Sequence, residues 1–325
     1  MRPRTWTFLI VAVLLSVALS VAVGAVALSV GEVWTGLRGA ADASTNAIVR
    51  DVRLPRTALA ALVGAALGLS GMTLQASLRN ALAEPYLLGV SGGAAVGAVL
   101  ASAFGVVAIG GVSAAAFVGA AVAIVLVFSV ASAMGRGRDP AMLLMAGVVI
   151  GAFANAVIMI ALARATPTAQ RNALWWMMGS VSAASWSDVA WLGASVLVFG
   201  AVLLHRAREL DVLSLGADAA AALGVGAGAS VKRLFGVASL LAAATVATAG
   251  LIGFVGLIVP HLARGLARAT TARATAVASM CLGAVLVILA DVAARTVLAP
   301  SELPLGAVTA LVGVPFFLSR LRAVR

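Results

Sequence analysis

The sequence predicts an all-α integral membrane protein with about ten transmembrane helices. Three observations carry that reading. The 325-residue chain is 63% hydrophobic and only 10% charged, with mean hydropathy +1.13, whereas a soluble domain carries roughly 25% charged residues. Its apolar residues gather into runs close to the ~20 residues that cross a bilayer. One run, 250–264, is cut by Gly250, Gly253, Gly256 and Pro260 and closed by His261 and Arg264. A broken helix at membrane depth is tolerated only where its freed backbone is buried in protein or lines a cavity. Such a segment points to a pathway rather than an anchor.

The apolar runs follow one another at 7–29, 56–78, 86–104, 109–134, 141–165, 187–206, 231–250, 254–268, 273–297 and 303–321. The first follows Arg2 and Arg4 and contains Ala25-Val26-Ala27, as a cleavable signal peptide would. Its length and the spans behind it favour a retained helix. The second follows a basic cluster, Arg50, Arg53 and Arg56. The third is glycine-rich and the eighth is short. No long polar linker divides the chain, so residues 1–325 form one membrane domain.

Basic residues orient the spans. With the N-terminus inside, fifteen of the 22 lie on the inner side: Arg2, Arg4, Arg79, Arg136, Arg138, Arg206, Arg208, Lys232, Arg233, Arg264, Arg268, Arg273, Arg320, Arg322 and Arg325. The other seven, Arg38, Arg50, Arg53, Arg56, Arg164, Arg171 and Arg295, lie outside. Both termini are then cytoplasmic. Trp6 anchors the inner boundary, and Trp34, Trp175, Trp176, Trp186 and Trp191 the outer one.

The net charge of +11 is scattered between apolar runs, unlike the basic face of a nucleic-acid binder. Membrane lipid is the partner it implies, and no nucleic acid. Cys281 stands alone, which excludes an internal disulfide and a cysteine metal cluster. The single lysine, Lys232, follows valine rather than glycine, so no phosphate-cradling Walker loop exists. Neither paired carboxylates nor a Ser/His/Asp set marks an enzyme. His261 has no metal-ligand spacing with His205 and reads as structural; no metal site is expected.

Four features remain. Arg50, Arg53 and Arg56, on the translocated side, are either a snorkelling cluster paired with Asp51 or a docking site for an acidic partner. The inner segment at about 207–228, with Leu213, Leu215, Gly216, Leu223 and Gly224, reads as a short amphipathic helix ended by glycine. It either lies on the headgroups or couples to a cytoplasmic motor. Asp291 is an intramembrane acid, with Arg295 one turn on as a local ion-pair partner. Finally, Leu69-Ser70-Gly71 to Arg79-Asn80 is echoed by Thr248-Ala249-Gly250 to Arg264, a possible inverted internal repeat.

These motifs resemble one family. Arg53-Leu54-Pro55-Arg56, Gly64 to Gly71, Gln75, Arg79-Asn80-Ala81-Leu82-Ala83-Glu84-Pro85 and Leu88 to Ala94 are similar to the FecCD family of ABC-transporter permeases. So are Trp176 to Ser180, the 250–264 run, and Asp291 through Glu302-Leu303-Pro304 to Phe317. The resemblance implies a fold like that of the vitamin B12 permease, working as a dimer of this chain or with a paralogue. It implies two cytoplasmic ATPase subunits that use ATP and Mg, and an extracellular or periplasmic substrate-binding protein. This chain itself would hold no cofactor and sit in a bacterial cytoplasmic membrane.

By the same resemblance Arg53, Arg56 and Arg295 dock the binding protein, and Leu213 to Gly224 couple to the ATPase. Asn80, Leu82, Pro140 and Ala141 flank the cytoplasmic gate, and Gly250, Gly253, Gly256 and Pro260 form a hinge. The family usually reads Arg-Asn-Pro-Leu-Ala where this chain has Ala81, so a looser turn is expected. The expected cargo is a metal chelate, a ferric siderophore first, with haem or cobalamin as alternatives. Outside the family, an ion-coupled secondary transporter and a membrane scaffold are the rivals. Sparse intramembrane acids argue against the former and broken helices against the latter.

Overall fold

A computed structural model describes residues 3–24, 26–106, 110–134, 139–267 and 271–322. Arg2, Ala25, Arg136, Arg138, Arg268 and Arg325 lie outside the described residues.

Among the described residues the fold is helical throughout. Seven stretches are long and apolar enough to cross a membrane. They are α1 (Pro3–Ala22), a continuous run over Ala43–Ser77, and five further helices. That run begins as a short helix, α3 (Ala43–Ala47), passes through a π-helical turn (Ile48–Arg53) and becomes α4 (Leu54–Ser77); it is preceded by α2 (Val30–Arg38) on the surface. The five others are α6 (Gly111–Ala133), α7 (Pro140–Arg164), α9 (Trp186–His205), α12 (Ala227–Ala249) and α14 (Ala272–Thr296). Three shorter apolar helices fall at the other expected spans: α5 (Val90–Ala103), α13 (Val255–Ala267) and α15 (Leu305–Arg322). Short polar-edged helices complete the chain: α8 (Pro167–Met177), α10 (Ala207–Ser214) and α11 (Ala217–Ala222).

Local chemistry sets the boundaries. Ser29 and Glu32 form a capping box that starts α2, and Gly39 closes it at φ +73°. Asp42 caps α3; the Thr45 N–H it accepts holds its carboxyl below the usual carboxylate range. Asp139 caps α7 ahead of Pro140, a residue suited to the first helical turn. Thr271 caps α14.

Two boundaries differ from expectation. The first span ends at Ala22, not 29, because the chain turns at Gly24 and Ser29 caps a separate helix. The inner segment is two helices rather than one, broken at Gly216, whose φ of +113° favours glycine.

The bundle has two ends, named here by Arg56 and Arg79. α4 runs from the first to the second through the centre, in contact with α9, α12, α13 and α14. It crosses α14 at backbone distance. A side-chain carbon on Gly64 would stand 2.0 Å from the Gly283 carbonyl oxygen, and one on Gly68 2.3 Å from that of Ser279. Small residues allow such approach where lipid gives helices no hydrophobic reason to associate.

Both short helices α5 and α13 start inside the bundle. A carbon on Gly71 would stand 2.1 Å from the Gly256 oxygen, and Gly71 lies about 9 Å from the end of α4 at 1.5 Å per residue. The chain therefore rises along α12, turns at Gly250, doubles back through residues 251–254 and starts α13 inside the bundle, beside Gly71 of α4. On the other side it leaves α4, turns back at residues 78–84 and climbs to Pro85, whose Cδ is 3.0 Å from a carbon placed on Gly256. It then enters α5. The two half-length helices run oppositely.

Replacing Gly64 with valine is expected to lower stability by about 1–3 kcal/mol or block folding, as overpacking does. Gly265→Ala, where nothing lies within 4 Å, is expected to be silent. Thermal unfolding of the detergent-solubilised protein checks both.

Candidate functional site

The site is built at three levels. At the Arg56 end, the start of α4 and the end of α14 share a buried ion network. Arg56 Nε donates to Asp291 Oδ1 and Oδ2 at 3.0 and 3.1 Å, and its terminal nitrogens reach Glu302 at 2.7 and 3.0 Å. Arg295 lies 3.5 Å from Asp291 and donates to Ser20 O and Oγ at 2.9 and 2.6 Å. Arg53 donates to the Val21, Ala22 and Val26 carbonyls, at the C-terminus of α1, where a cation belongs.

This corrects the docking expectation. Arg53, Arg56 and Arg295 are 3%, 6% and 4% exposed, and their guanidinium groups are spent on internal partners. Asp51 is not the partner of this cluster either; Asp291 and Glu302 are. Exposed cations at this end include Arg50, on the π-helical turn, Arg38, which stacks 4.4 Å over Trp34, and Arg164 and Arg171 at the end of α7 and in α8.

At mid-depth lies the start of α13. Gly250 (φ +70°) turns the chain so tightly that a side-chain carbon would stand 2.3 Å from Trp176 O. Phe254 takes a φ of +67°, unusual for a residue with a side chain. Its N–H donates to Glu84 Oε1. Gln75 Nε2 donates to the Gly256 and Leu257 carbonyls at 3.1 and 3.2 Å, while its oxygen accepts from Arg264 at 2.6 Å. Gly256 is wedged between Pro85 and α4, Gly253 has room around it, and Pro260 is buried within α13. Of the four residues expected to form a hinge, then, Gly250 supplies the turn and Gly256 the close contact. His261 meets Phe316 edge-on at 6.3 Å.

At the Arg79 end the turn expected to be loose is closed. Asn80 Oδ1 accepts from Leu82 N–H at 2.9 Å and Asn80 O from Ala83 N–H at 3.0 Å. The asparagine turn thus forms with Ala81 in the proline's place. Leu82 is 48% exposed. Pro140 and Ala141 start α7 at this same end, with Ala141 N–H donating to Asp139.

α10, the first helix of the segment expected to couple, is anchored here. Asp211 Oδ1 accepts from Ala272 N–H at 2.6 Å, and Glu209 pairs with Arg206 at 2.6 Å. Leu213 is buried in the core, a correction to its coupling role. Leu215 and Leu223 are exposed at 66% and 61%, beside Gly216 and Gly224.

Sequence reasoning missed two residues. Glu84 was part of a motif but had no role. Asn155 is exposed in the middle of the otherwise apolar α7 and lines a cleft of about 440 Å³ with Tyr86, Ser91, Met177 and Leu251. A lone amide among 24 other residues of a membrane helix was the available signal.

The FecCD transport family model matches residues 10–323. The chain belongs to the FecCD transport family. Among named relatives, the cobalamin import permease BtuC of Halobacterium salinarum is 39% identical over 279 residues, covering 86% of this chain and 74% of that one. The vitamin B12 import permease BtuC of Vibrio parahaemolyticus is 37% identical over 308 residues, 94% of this chain and 92% of that one. A solved inward-facing metal-chelate type ABC transporter superposes with TM-score 0.88 at 30% identity, covering 99% of this chain and all of that one. This FecCD protein is therefore an importer permease with a multi-span membrane fold. Its relatives are transport subunits, not enzymes.

Removing one member of a buried ion pair strands the other, at a cost of about 3–5 kcal/mol. Arg56→Ala is expected to show that loss. Glu302→Ala, whose side chain is 38% exposed, is expected to cost under about 1 kcal/mol. Unfolding midpoints of the two purified variants compare them directly.

Proposed function

We propose that this chain forms, with a second copy or a paralogue, the pathway of an ATP-driven metal-chelate importer in a bacterial cytoplasmic membrane. The observation that carries the reading is the pair of half-length helices, α5 and α13, that start at mid-depth and run in opposite directions. Broken helices at matching positions of two repeats mark transporter pathways. The second copy covers the face of α7 and α15, where Phe153, Met159, Leu311 and Leu318 are exposed. There the Asn155 cleft faces the pathway.

The Arg79 end is cytoplasmic, with both termini. Two ATPase subunits, using ATP and Mg, grip the exposed Leu215 and Leu223, and this chain holds no cofactor. A substrate-binding protein docks at the Arg56 end through exposed Arg50 and Arg38. Binding and hydrolysis of ATP move the coupling helices, and the pathway opens to one side and then the other.

A cobalamin-class corrinoid is the first cargo to test, on the strength of the relatives. A ferric siderophore is the second reading, because the Pro140-Ala141 turn offers no side-chain hydroxyl to a corrinoid.

The test is uptake by proteoliposomes containing the permease, its ATPase and its binding protein, with cyanocobalamin and a ferric hydroxamate as probes. Uptake of one probe is expected, dependent on ATP and indifferent to an ionophore. Uptake driven by an ion gradient without the ATPase would overturn the reading. Leu215→Asp with Leu223→Asp is expected to cut ATPase co-purification roughly tenfold, the ~1.4 kcal/mol of one modest apolar contact, at unchanged permease yield.

A further inference from the structure

Glu84 lies in none of the roles above. Its side chain is buried, 6% exposed, at the depth where α13 begins. No cation is paired with it among the described residues. Its one recorded partner is the Phe254 N–H. That amide is one of the donors a helix N-terminus leaves unsatisfied, at the positive end of the helix dipole. In a broken-helix transporter such an end is free to meet an anionic cargo group; here the chain's own carboxylate occupies it.

Both partners of this bond are mechanically placed. Glu84 stands two residues from Leu82 and one from Pro85, on the segment that turns back from the Arg79 end. Phe254 holds the strained φ of the descending strand and lies under α15: a carbon placed on Gly313 would be 2.6 Å from Phe254 Cβ. Gln75 also holds α13, but from α4 and at its carbonyls. Among the described residues, the Glu84 bond is the recorded hydrogen bond from the turning segment to α13.

We propose that Glu84 is a positioning residue for transport: it ties the gate segment 79–85 to the start of α13, and through Phe254 to α15, so that the three move as one unit. This rests on the alternating-access reading above. Without the bond the gate segment moves apart from α13, and ATP is hydrolysed without matching transport.

The test uses the complete permease–ATPase–binding-protein complex with Glu84→Ala, the near-isosteric Glu84→Gln and the conservative Glu84→Asp. Loss of this buried hydrogen bond is expected to raise amide exchange of the 252–257 peptide roughly tenfold in Glu84→Ala. Cyanocobalamin or ferric hydroxamate uptake per ATP hydrolysed is expected to fall by a similar factor, with ATPase activity maintained. Glu84→Gln, which keeps an acceptor but no charge, is expected between Ala and wild type, and Glu84→Asp nearest wild type.

Unchanged exchange at 252–257 in Glu84→Ala overturns the proposal, and that readout needs no cargo. So does a parallel loss of uptake and ATPase activity in Glu84→Gln, which would mark a merely structural role. Failure of the wild-type complex to move either probe, with exchange altered as expected, would instead sink the transport reading alone.

Discussion

Lipid offers no hydrogen bonds, and this constraint shapes the molecule more than any other. A continuous helix satisfies it internally. α5 and α13 do not span, so their first N–H groups and the extended residues before them must find partners inside the protein. A small set of polar side chains serves the backbone there: Glu84 accepts from the Phe254 N–H, Gln75 donates to the Gly256 and Leu257 carbonyls, and the Ser91 hydroxyl donates to Tyr86 O. Each of these lies on a segment facing a break. The breaks are thus built features, and the polar residues beside them serve the backbone first.

The same constraint explains the Arg56 end. Three buried guanidinium groups and the buried Asp291 carboxylate meet at a helix junction, with Glu302 at its water-exposed edge. Desolvating such charges is expensive, and mutual attraction repays it only with good geometry and further hydrogen bonds. Arg56 achieves this by splitting its nitrogens between Asp291 and Glu302. Arg53 and Arg295 use carbonyls of α1 and the residues after it, plus the Ser20 hydroxyl. The result joins α1, α4, α14 and the loop before α15 at one point. Arginine suits this task because its planar fork serves several acceptors at once.

The spans, their order and the broken segment were legible because hydropathy and glycine placement are local properties. The inverted echo pairs 69–80 with 248–264, but residues 69–77 lie within the unbroken α4 while 248–264 is broken at Gly250. Partnerships were not legible. Asp291 was read with Arg295, four residues away, while the bidentate partner Arg56 lies 235 residues back in the chain. Spacing along a helix cannot show which charges a fold brings together. For the same reason Arg53, Arg56 and Arg295 read as surface cations when their side chains turn inward. Leu213 and Leu215 look alike in sequence, yet one faces the core and the other faces outward, a difference set by how α10 sits on α14. Asn155 was visible in principle, being a lone amide in an apolar helix.

Packing separates what is fixed from what can move. α4 and α14 touch backbone to backbone at Gly64, Gly68, Ser279 and Gly283, so neither can rotate without driving a carbonyl into its neighbour. The Arg56 network locks the same pair at one end. α15 is held differently: it packs chiefly on α13 and α14, begins with hydrogen bonds from Leu305 and Gly306 to the Gly179 and Met178 carbonyls, and leaves Leu311 74% exposed. α7 is likewise largely unburied along its length. A motion that opens a pathway will therefore pivot α7 and α15 about the rigid α4–α14 pair. α13 joins the two parts, fixed to the pair at one face and touching α15 at its start, while α5 packs between α6 and α7. α13 meets α4 through Gly256 and α15 through Phe254, and α5 meets α7 through Gly92 and Ala154. A half-length helix whose start is held by a few side-chain hydrogen bonds can tilt with few backbone bonds broken, which a continuous span cannot do.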